Sequence, residues 1–214
     1  MVTIDPRQFI ITRKRKKYKF ALFANSPLCF EIDEWHKRPA DVVEIGAGTA
    51  LFLVQLATRY PQKTFVAIDV KADRLQRGAR EAEIQGLTNI VFLRARADQV
   101  EELFDQHSID QLWLTFPDPY PKSRSAGRRL THPTFLRHYQ ALLRAHGSLY
   151  LKHDNYQFFC WSLEQLVALH WCIVELSFDL HDSDYSEDYK LKTSYEQRWL
   201  DEGRSTHFVR AEIK

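Results

Sequence analysis

No CxxC pair occurs in the sequence: its three cysteines, Cys29, Cys160 and Cys172, are odd in number and far apart. That pattern argues against a disulfide framework, and buried thiols in a reducing compartment are the simplest account. Nine histidines are scattered without an HExxH or a His/Cys cluster, so no metal site is expected. No apolar run approaches the roughly 20 residues of a membrane span. The N-terminal charges run into "FALFANSPLCFEI", which lacks the clean apolar core of a secretory signal. Internal repeats and low-complexity segments are absent as well. A soluble cytoplasmic protein is expected, with no membrane contact.

The 214 residues suffice for one α/β domain, 1–214, and 44% hydrophobic content suffices for its core. The net charge is only +2, but it is unevenly placed. Residues 1–24 hold seven Lys/Arg, Lys14, Arg15 and Lys16 among them, against Asp5 alone, a net of +6 that leaves −4 on the remainder. A basic arm on a slightly acidic body suits a polyanion partner, although a solvated disordered arm reads equally well from this stretch.

From residue 41 onward, short apolar runs alternate with helical patterns. Strands are expected over 41–45, 64–69, 89–95, 111–116, 147–152, 172–178 and 207–213. Helices are expected over 49–60, 71–85, about 98–105, about 132–145 and 155–169, with Gly86 capping the second. The polar segment 181–192 is expected to be mobile. Such alternation implies βαβ units and a mostly parallel seven-stranded sheet with helices on both faces. Ligands then bind beyond the carboxyl ends of the strands, where Glu44–Gly48, Asp69, Arg96–Asp98, Phe116–Lys122 and Lys152–Asp154 lie. Aspartate is common in structural turns, so it is the recurrence of acids on one rim that carries weight.

In "VEIGAGTALF", Gly46 and Gly48 allow a sharp turn close to a ligand. The third glycine of a dinucleotide fingerprint is replaced by Leu51, and no Gly-Lys-Ser/Thr of a P-loop follows. That spacing counts against a nicotinamide oxidoreductase. Glu44 would repel phosphates but suits the ammonium and sulfonium of S-adenosyl-L-methionine. Asp69 is placed to accept both ribose hydroxyls, a feature shared with NAD enzymes. Further on, "TFPDPYPKSRSAGRR" (115–129) surrounds Asp118 and Tyr120 with three prolines. A residue before proline is driven out of helical geometry, so Pro119 keeps Asp118 extended at the rim. Lys122, Arg124, Arg128, Arg129 and Arg137 follow with no acid between them. Trp113 and Phe116 read as core residues and His132 as a helix-start residue.

The motifs "EIGAG" (44–48), "FPDPYPK" (116–122), "RRLT" (128–131), "LKHDN" (151–155) and "TSYE" (193–196) together resemble the bacterial tRNA (guanine-N7-)-methyltransferase family. The resemblance spans nearly the whole chain in order and implies a class I methyltransferase, Rossmann-like fold. It implies transfer of a methyl group from S-adenosyl-L-methionine to N7 of a variable-loop guanine, the tRNA (guanine(46)-N7)-methyltransferase activity; monomer and homodimer both stay open. Carried over by position, cofactor contacts fall on Glu44, Asp69, residue 96 and Asp118, and the turn at Gly46 and Gly48 is read as cofactor-binding beside them. Substrate contacts fall on Lys122, Asp154, Thr193, Ser194, Tyr195 and Glu196; from their charge, Arg128, Arg129 and the arm are expected on the tRNA backbone. Similar sequences often have Asp or Asn where this one has Arg96; either backbone groups or Asp98 then take the adenine. Tyr120 replaces the commoner tryptophan.

Guanine N7 carries a free lone pair, so the reaction needs alignment and electrostatics rather than a base. Asp118 is the expected catalytic group, with Tyr120 against the base and Asp154 and Glu196 accepting its N1–H and N2–H. Two other readings compete. "PDPY" resembles the Asp/Asn-Pro-Pro-Tyr loop of amino-group methyltransferases, which would make the protein another RNA base methyltransferase. A non-catalytic RNA-binding protein on the same fold would lack cofactor affinity.

Overall fold

The computed structural model describes Ile4, Asp5, Arg7 and residues 14–213; of Lys14, Arg15, Lys16 and Ser194 only the backbone is described. In chain order the elements are α1 (Lys14–Ala24), β1 (Cys29–Glu31), β2 (Val42–Ile45), α2 (Leu51–Arg59), β3 (Phe65–Asp69), α3 (Ala72–Ile84), β4 (Ile90–Arg94), α4 (Val100–Leu103) and β5 (Ile109–Thr115). The chain continues through α5 (Pro133–Leu142), β6 (Leu143–His153), α6 (Tyr156–Ala168), β7 (Cys172–Ser177), α7 (Ser194–Asp201) and β8 (His207–Glu212). The sheet has eight strands in the order β1-β4-β3-β2-β5-β6-β8-β7. Strands β1 to β6 run parallel, and β8 is antiparallel to both its neighbours.

The seven expected strands all form, and β1 is an eighth. It is three residues long and pairs Phe30 with Leu93 at the sheet edge, too short to leave a periodic pattern. The basic segment likewise contains a helix: α1 buries Ala21 and Phe23 against the body, so its second half is not a solvated tail. Residues 181–192, expected to be mobile, are pinned. Just before it Leu180 is fully buried, and within it Tyr189 stacks on Phe208 and Asp188 takes hydrogen bonds from Arg59 and Tyr60. The few large side chains in a polar stretch suffice to anchor it. Cys172 is exposed and Cys29 and Cys160 are half-buried, so the thiols are less sheltered than expected.

Two apolar layers flank the sheet. Val43, Ile45, Val66, Ile68, Leu112 and Leu114 face α4, α5 and α6, and the alternate residues Val42, Phe65, Ala67 and Trp113 face α1, α2 and α3. Helix α3 ends as its sequence implies: Gly86 takes φ +67°, its N–H bonds Glu83 and the Leu87 N–H bonds Ala82, a Schellman cap. Going outward from β2, chain order runs through β3 and β4 on one side and β5 and β6 on the other. The reversal lies between β2 and β5, and a crevice opens there at the carboxyl ends.

Helix α3 packs closely on the segment after β2 and on β4 at Gly78, where a Cβ would run into the Thr49 carbonyl and the Phe92 ring. Two effects oppose each other in Gly78→Ala: helix propensity gains about 1 kcal/mol, and overpacking costs about 1–3 kcal/mol. The obstructing atom is backbone, so overpacking wins. Urea unfolding is expected to show net destabilisation, and a more stable variant would contradict this packing.

Candidate active site

The glycine turn after β2 is clamped onto the end of β3. The N–H groups of Gly46 and Ala47 both donate to the Ile68 carbonyl (2.8 and 2.9 Å), and that of Gly48 donates to Asp69 Oδ2 (2.8 Å). Gly46 and Gly48 hold φ of +73° and +57°, which favours glycine at both positions. With three successive amides already donated, the turn offers no phosphate cradle. Asp69 Oδ1 accepts from the Lys71 N–H (2.8 Å), which leaves each oxygen a lone pair for a sugar hydroxyl. Glu44 is 1% exposed at the floor of the turn. Its Oε1 accepts a bond from Thr115 Oγ1 across the β2–β5 boundary, and its Oε2 is buried with no partner among the described residues. Burial pushes its carboxyl up to about 8.

The loop after β5 is stiffer than three prolines alone require. Phe116 and Tyr120, two before and two after Asp118, have φ of +50° and +40°. Non-glycine residues in that region cost on the order of 1–3 kcal/mol each and persist only where their surroundings impose them. The imposing groups are two. His153 Nε2 donates to the Pro117 carbonyl (2.9 Å), while its Nδ1 accepts from the Asn155 N–H (2.8 Å). Burial holds its pKa below the usual histidine value, so the ring is the neutral tautomer that both bonds demand. The Arg129 guanidinium donates to the carbonyls of Pro119 and Tyr120 (both 3.1 Å) and lies over Trp161. Arg129, expected on the tRNA backbone, is thus a strut of the loop. Arg128 lies 4.4 Å over the Tyr120 ring, and Lys122 and Arg124 are exposed on the following turn.

Three adjoining cavities lie along this rim. One of about 210 Å³ is bounded by Gly46, Asp69, Ala95, Ala97, Asp118 and Tyr120. A narrow one of about 50 Å³ lies beside Glu44, Gly48, Thr115, Thr193 and Tyr195. A third of about 290 Å³ is bounded by Asp118, Pro119, Asp154, Asn155, Tyr195 and Trp199. Asp118 lies on the wall between the first and third. Arg96 and Asp98 are absent from these walls: they form a bidentate ion pair with each other, and their neighbours Ala95 and Ala97 line the cavity instead. Phe116, read as core, lines all three, whereas Trp113 is buried as expected. His132 caps α5, accepting from the Thr134 N–H (3.3 Å).

Glu196 departs from its expected place against the base. It is fully buried, with Oε2 on Lys152 Nζ (2.7 Å) and the Thr193 N–H (3.2 Å) and Oε1 on His181 Nε2 (2.9 Å). Burial opposes ionisation here, but the bonds from His181 and Lys152 outweigh it and hold the carboxyl below the usual range. Thr193 Oγ1 accepts from the Glu196 N–H (3.0 Å), completing a capping box. Glu196 therefore sets the start of α7 and with it Thr193 and Tyr195 on the cavity walls. Asp154 does face the third cavity, with Arg204 3.3 Å away, and Arg204 lies 4.1 Å over Trp199. Thr115, Lys152, His153, Trp199 and Arg74, which also lines the cavities, were not singled out from the sequence. Only the position of Lys152 and His153 at a strand end pointed to them.

The donor set fits S-adenosyl-L-methionine. A buried carboxylate oxygen lacks a partner beside a narrow cavity suited to an aminoalkyl tail, and a ring-sized cavity with Asp69 adjoins it. Among the described residues no group of His, Cys, Asp and Glu could hold a metal ion, and no helix is long and apolar enough to cross a membrane.

The model of the family described as "Putative methyltransferase" matches residues 38–209. A tRNA (guanine-N(7)-)-methyltransferase of Brevibacillus brevis is 35% identical over 197 residues, covering 90% of this chain and 91% of the relative. One from Mycoplasmopsis pulmonis is 37% identical over 174 residues, covering 80% and 84%. The chain belongs to the tRNA (guanine-N7-)-methyltransferase family. Among solved structures, the 16S rRNA methyltransferase KamB aligns at a TM-score of 0.63 with 17% identity, covering 85% of this chain and 90% of that one. That likeness places the fold in the class I methyltransferases.

In this family member both side chains of the Lys152–Glu196 pair are fully buried. Glu196→Ala leaves an uncompensated ammonium and is expected to cost about 3–5 kcal/mol, whereas the double variant Lys152→Met/Glu196→Leu recovers most of it. Chemical denaturation of the three proteins checks this. A double variant less stable than Glu196→Ala would contradict the assignment.

Proposed function

We propose that the protein methylates N7 of the guanine at position 46, in the variable loop of tRNA. The observation that carries this reading is Asp118, presented by a strained loop on the wall shared by two cavities. S-adenosyl-L-methionine, when bound, supplies a methyl group on a sulfonium, which a ring nitrogen can attack directly. Asp69 suits its ribose, Glu44 its ammonium, and the walls at Ala95 and Ala97 its adenine, with no side chain of residue 96 or 98 required.

The cavity bounded by Asp154, Tyr195 and Trp199 suits the base. Guanine N7 has no proton to remove, and the site matches that demand: both nitrogens of the buried His153 are committed, so it is no general base. As N7 gains its fourth bond the purine becomes cationic. The Asp118 carboxylate stabilises that charge without having to reorganise. Asp154 is the remaining acceptor for N1–H and N2–H, which favours guanine over adenine. Drawing the base out of a folded tRNA costs a few kcal/mol. The exposed cations Lys122, Arg124 and Arg128 offset this through phosphate contacts that weaken with salt.

Incubation with unmodified tRNA and methyl-labelled S-adenosyl-L-methionine, then chain cleavage at N7-methylguanosine, is expected to cut at position 46 alone. Label on an exocyclic amine would instead favour amino-group transfer, and no label would favour a non-catalytic binder.

Glu44 adds a pH signature. Its folded pKa lies near 8, above the ordinary 4.5, so the free protein holds this proton between those values. The stability it contributes is full below about 4.5 and lost as pH rises through about 8. A cationic ligand needs the ionised form, so cofactor affinity is expected to rise from pH 6 to 8 with release of a proton. Calorimetry in buffers of different ionisation enthalpy measures that release, and Glu44→Gln should abolish it. Equal proton release by the variant would contradict the role.

A further inference from the structure

Arg74 occupies a position that the methyl-transfer chemistry described so far does not use. It lies in the first turn of α3, its N–H bonded to the Lys71 carbonyl (2.9 Å). Its side chain lines the adenosine-sized cavity, the narrow cavity beside Glu44 and the base cavity; Phe116 is the one other residue shared by all three. The side chain is half-buried, and no hydrogen bond or ion pair engages its guanidinium among the described residues.

A lone guanidinium there is unfavourable for the reaction. It repels a sulfonium donor and the cationic purine that forms; Asp69, Asp118 and Asp154 share cavity walls with it, but none pairs with it among the described residues, so a bound anion is favoured beside it. The narrow cavity suggests which. Glu44 presents an unpartnered carboxylate oxygen to one side of it and Arg74 bounds another. A carboxylate and a guanidinium facing one slot match a zwitterionic amino acid, ammonium to Glu44 and carboxylate to Arg74. Arginine suits the second role, because its planar fork donates two parallel bonds to a carboxylate and stays charged at any working pH.

We propose that Arg74 binds the carboxylate of the cofactor's amino-acid tail and so cancels its own charge next to the reacting centre. This rests on the methyl-donor reading above. An RNA phosphate is the other oxyanion within reach through the base cavity. It is disfavoured because Lys122 and Arg128 are exposed on the outer rim, whereas Arg74 is recessed beside Glu44.

The test is calorimetry on the full chain with four probes: S-adenosylhomocysteine, its decarboxylated counterpart, 5′-methylthioadenosine and unmodified tRNA. Arg74→Ala is expected to weaken S-adenosylhomocysteine binding about 10- to 100-fold while the decarboxylated compound and methylthioadenosine stay within about threefold. Arg74→Lys is expected to restore part of the loss. Equal loss for all three nucleosides would mean a disturbed pocket, and loss confined to tRNA would assign Arg74 to phosphate; either overturns the proposal. Wild-type protein that binds none of the nucleosides would overturn the donor reading itself, and the role of Arg74 with it.

Discussion

The hydrogen bond from His153 Nε2 to the Pro117 carbonyl ties two neighbouring strand ends into one rigid corner. Strand β6 ends at His153, β5 ends at Thr115, and the Phe116 N–H closes the ladder on the Lys152 carbonyl (2.9 Å). Beyond that corner the backbone enters left-handed geometry twice, and the Arg129 guanidinium holds the far side. The corner holds the backbone of an exposed carboxylate, Asp118, that has no hydrogen-bond partner among the described residues. Preorganisation of that kind suits a reaction whose sole electrostatic demand is a positive charge developing at one ring atom.

Beneath the corner lies a second layer of buried ionisable groups. Glu44, Lys152 and Glu196 are all buried, on β2, β6 and α7, and each faces the crevice or the segment that covers it. Lys152 and Glu196 neutralise one another and lock the start of α7, which would otherwise be a two-turn helix with little reason to form. Glu44 is left with one unsatisfied oxygen, a cost that folding alone gives no reason to bear. Buried ionisable groups are thus gathered around the crevice, and the proposed cationic cofactor would offset the ionised form of Glu44.

Much of this was legible in the sequence because it is local. Periodicity placed the strands, Gly86 marked the end of α3, and "EIGAG" and "FPDPYPK" marked the rim. What stayed hidden depends on distant partners. Nothing in "TSYE" shows that Glu196 turns inward to meet a lysine 44 residues away. Nor does "GRR" show that Arg129 turns back on the loop while Arg128 covers Tyr120. Arg74 sits in an ordinary amphipathic helix, and only the packing of α3 on the glycine turn brings it to the crevice. The short strand β1 and the anchored segment 181–192 were missed for the complementary reason: each is held by a few contacts that leave no repeating pattern.

The central claim is that the negative charge of Asp118, rather than the shape of its loop, stabilises the methylated base. Asp118→Asn keeps the shape and removes the charge. Its single-turnover methyl-transfer rate, measured with saturating S-adenosyl-L-methionine and tRNA, is expected to fall about 100- to 1000-fold below that of the unaltered protein. A rate within a factor of about three would show that the charge is dispensable and would contradict the account.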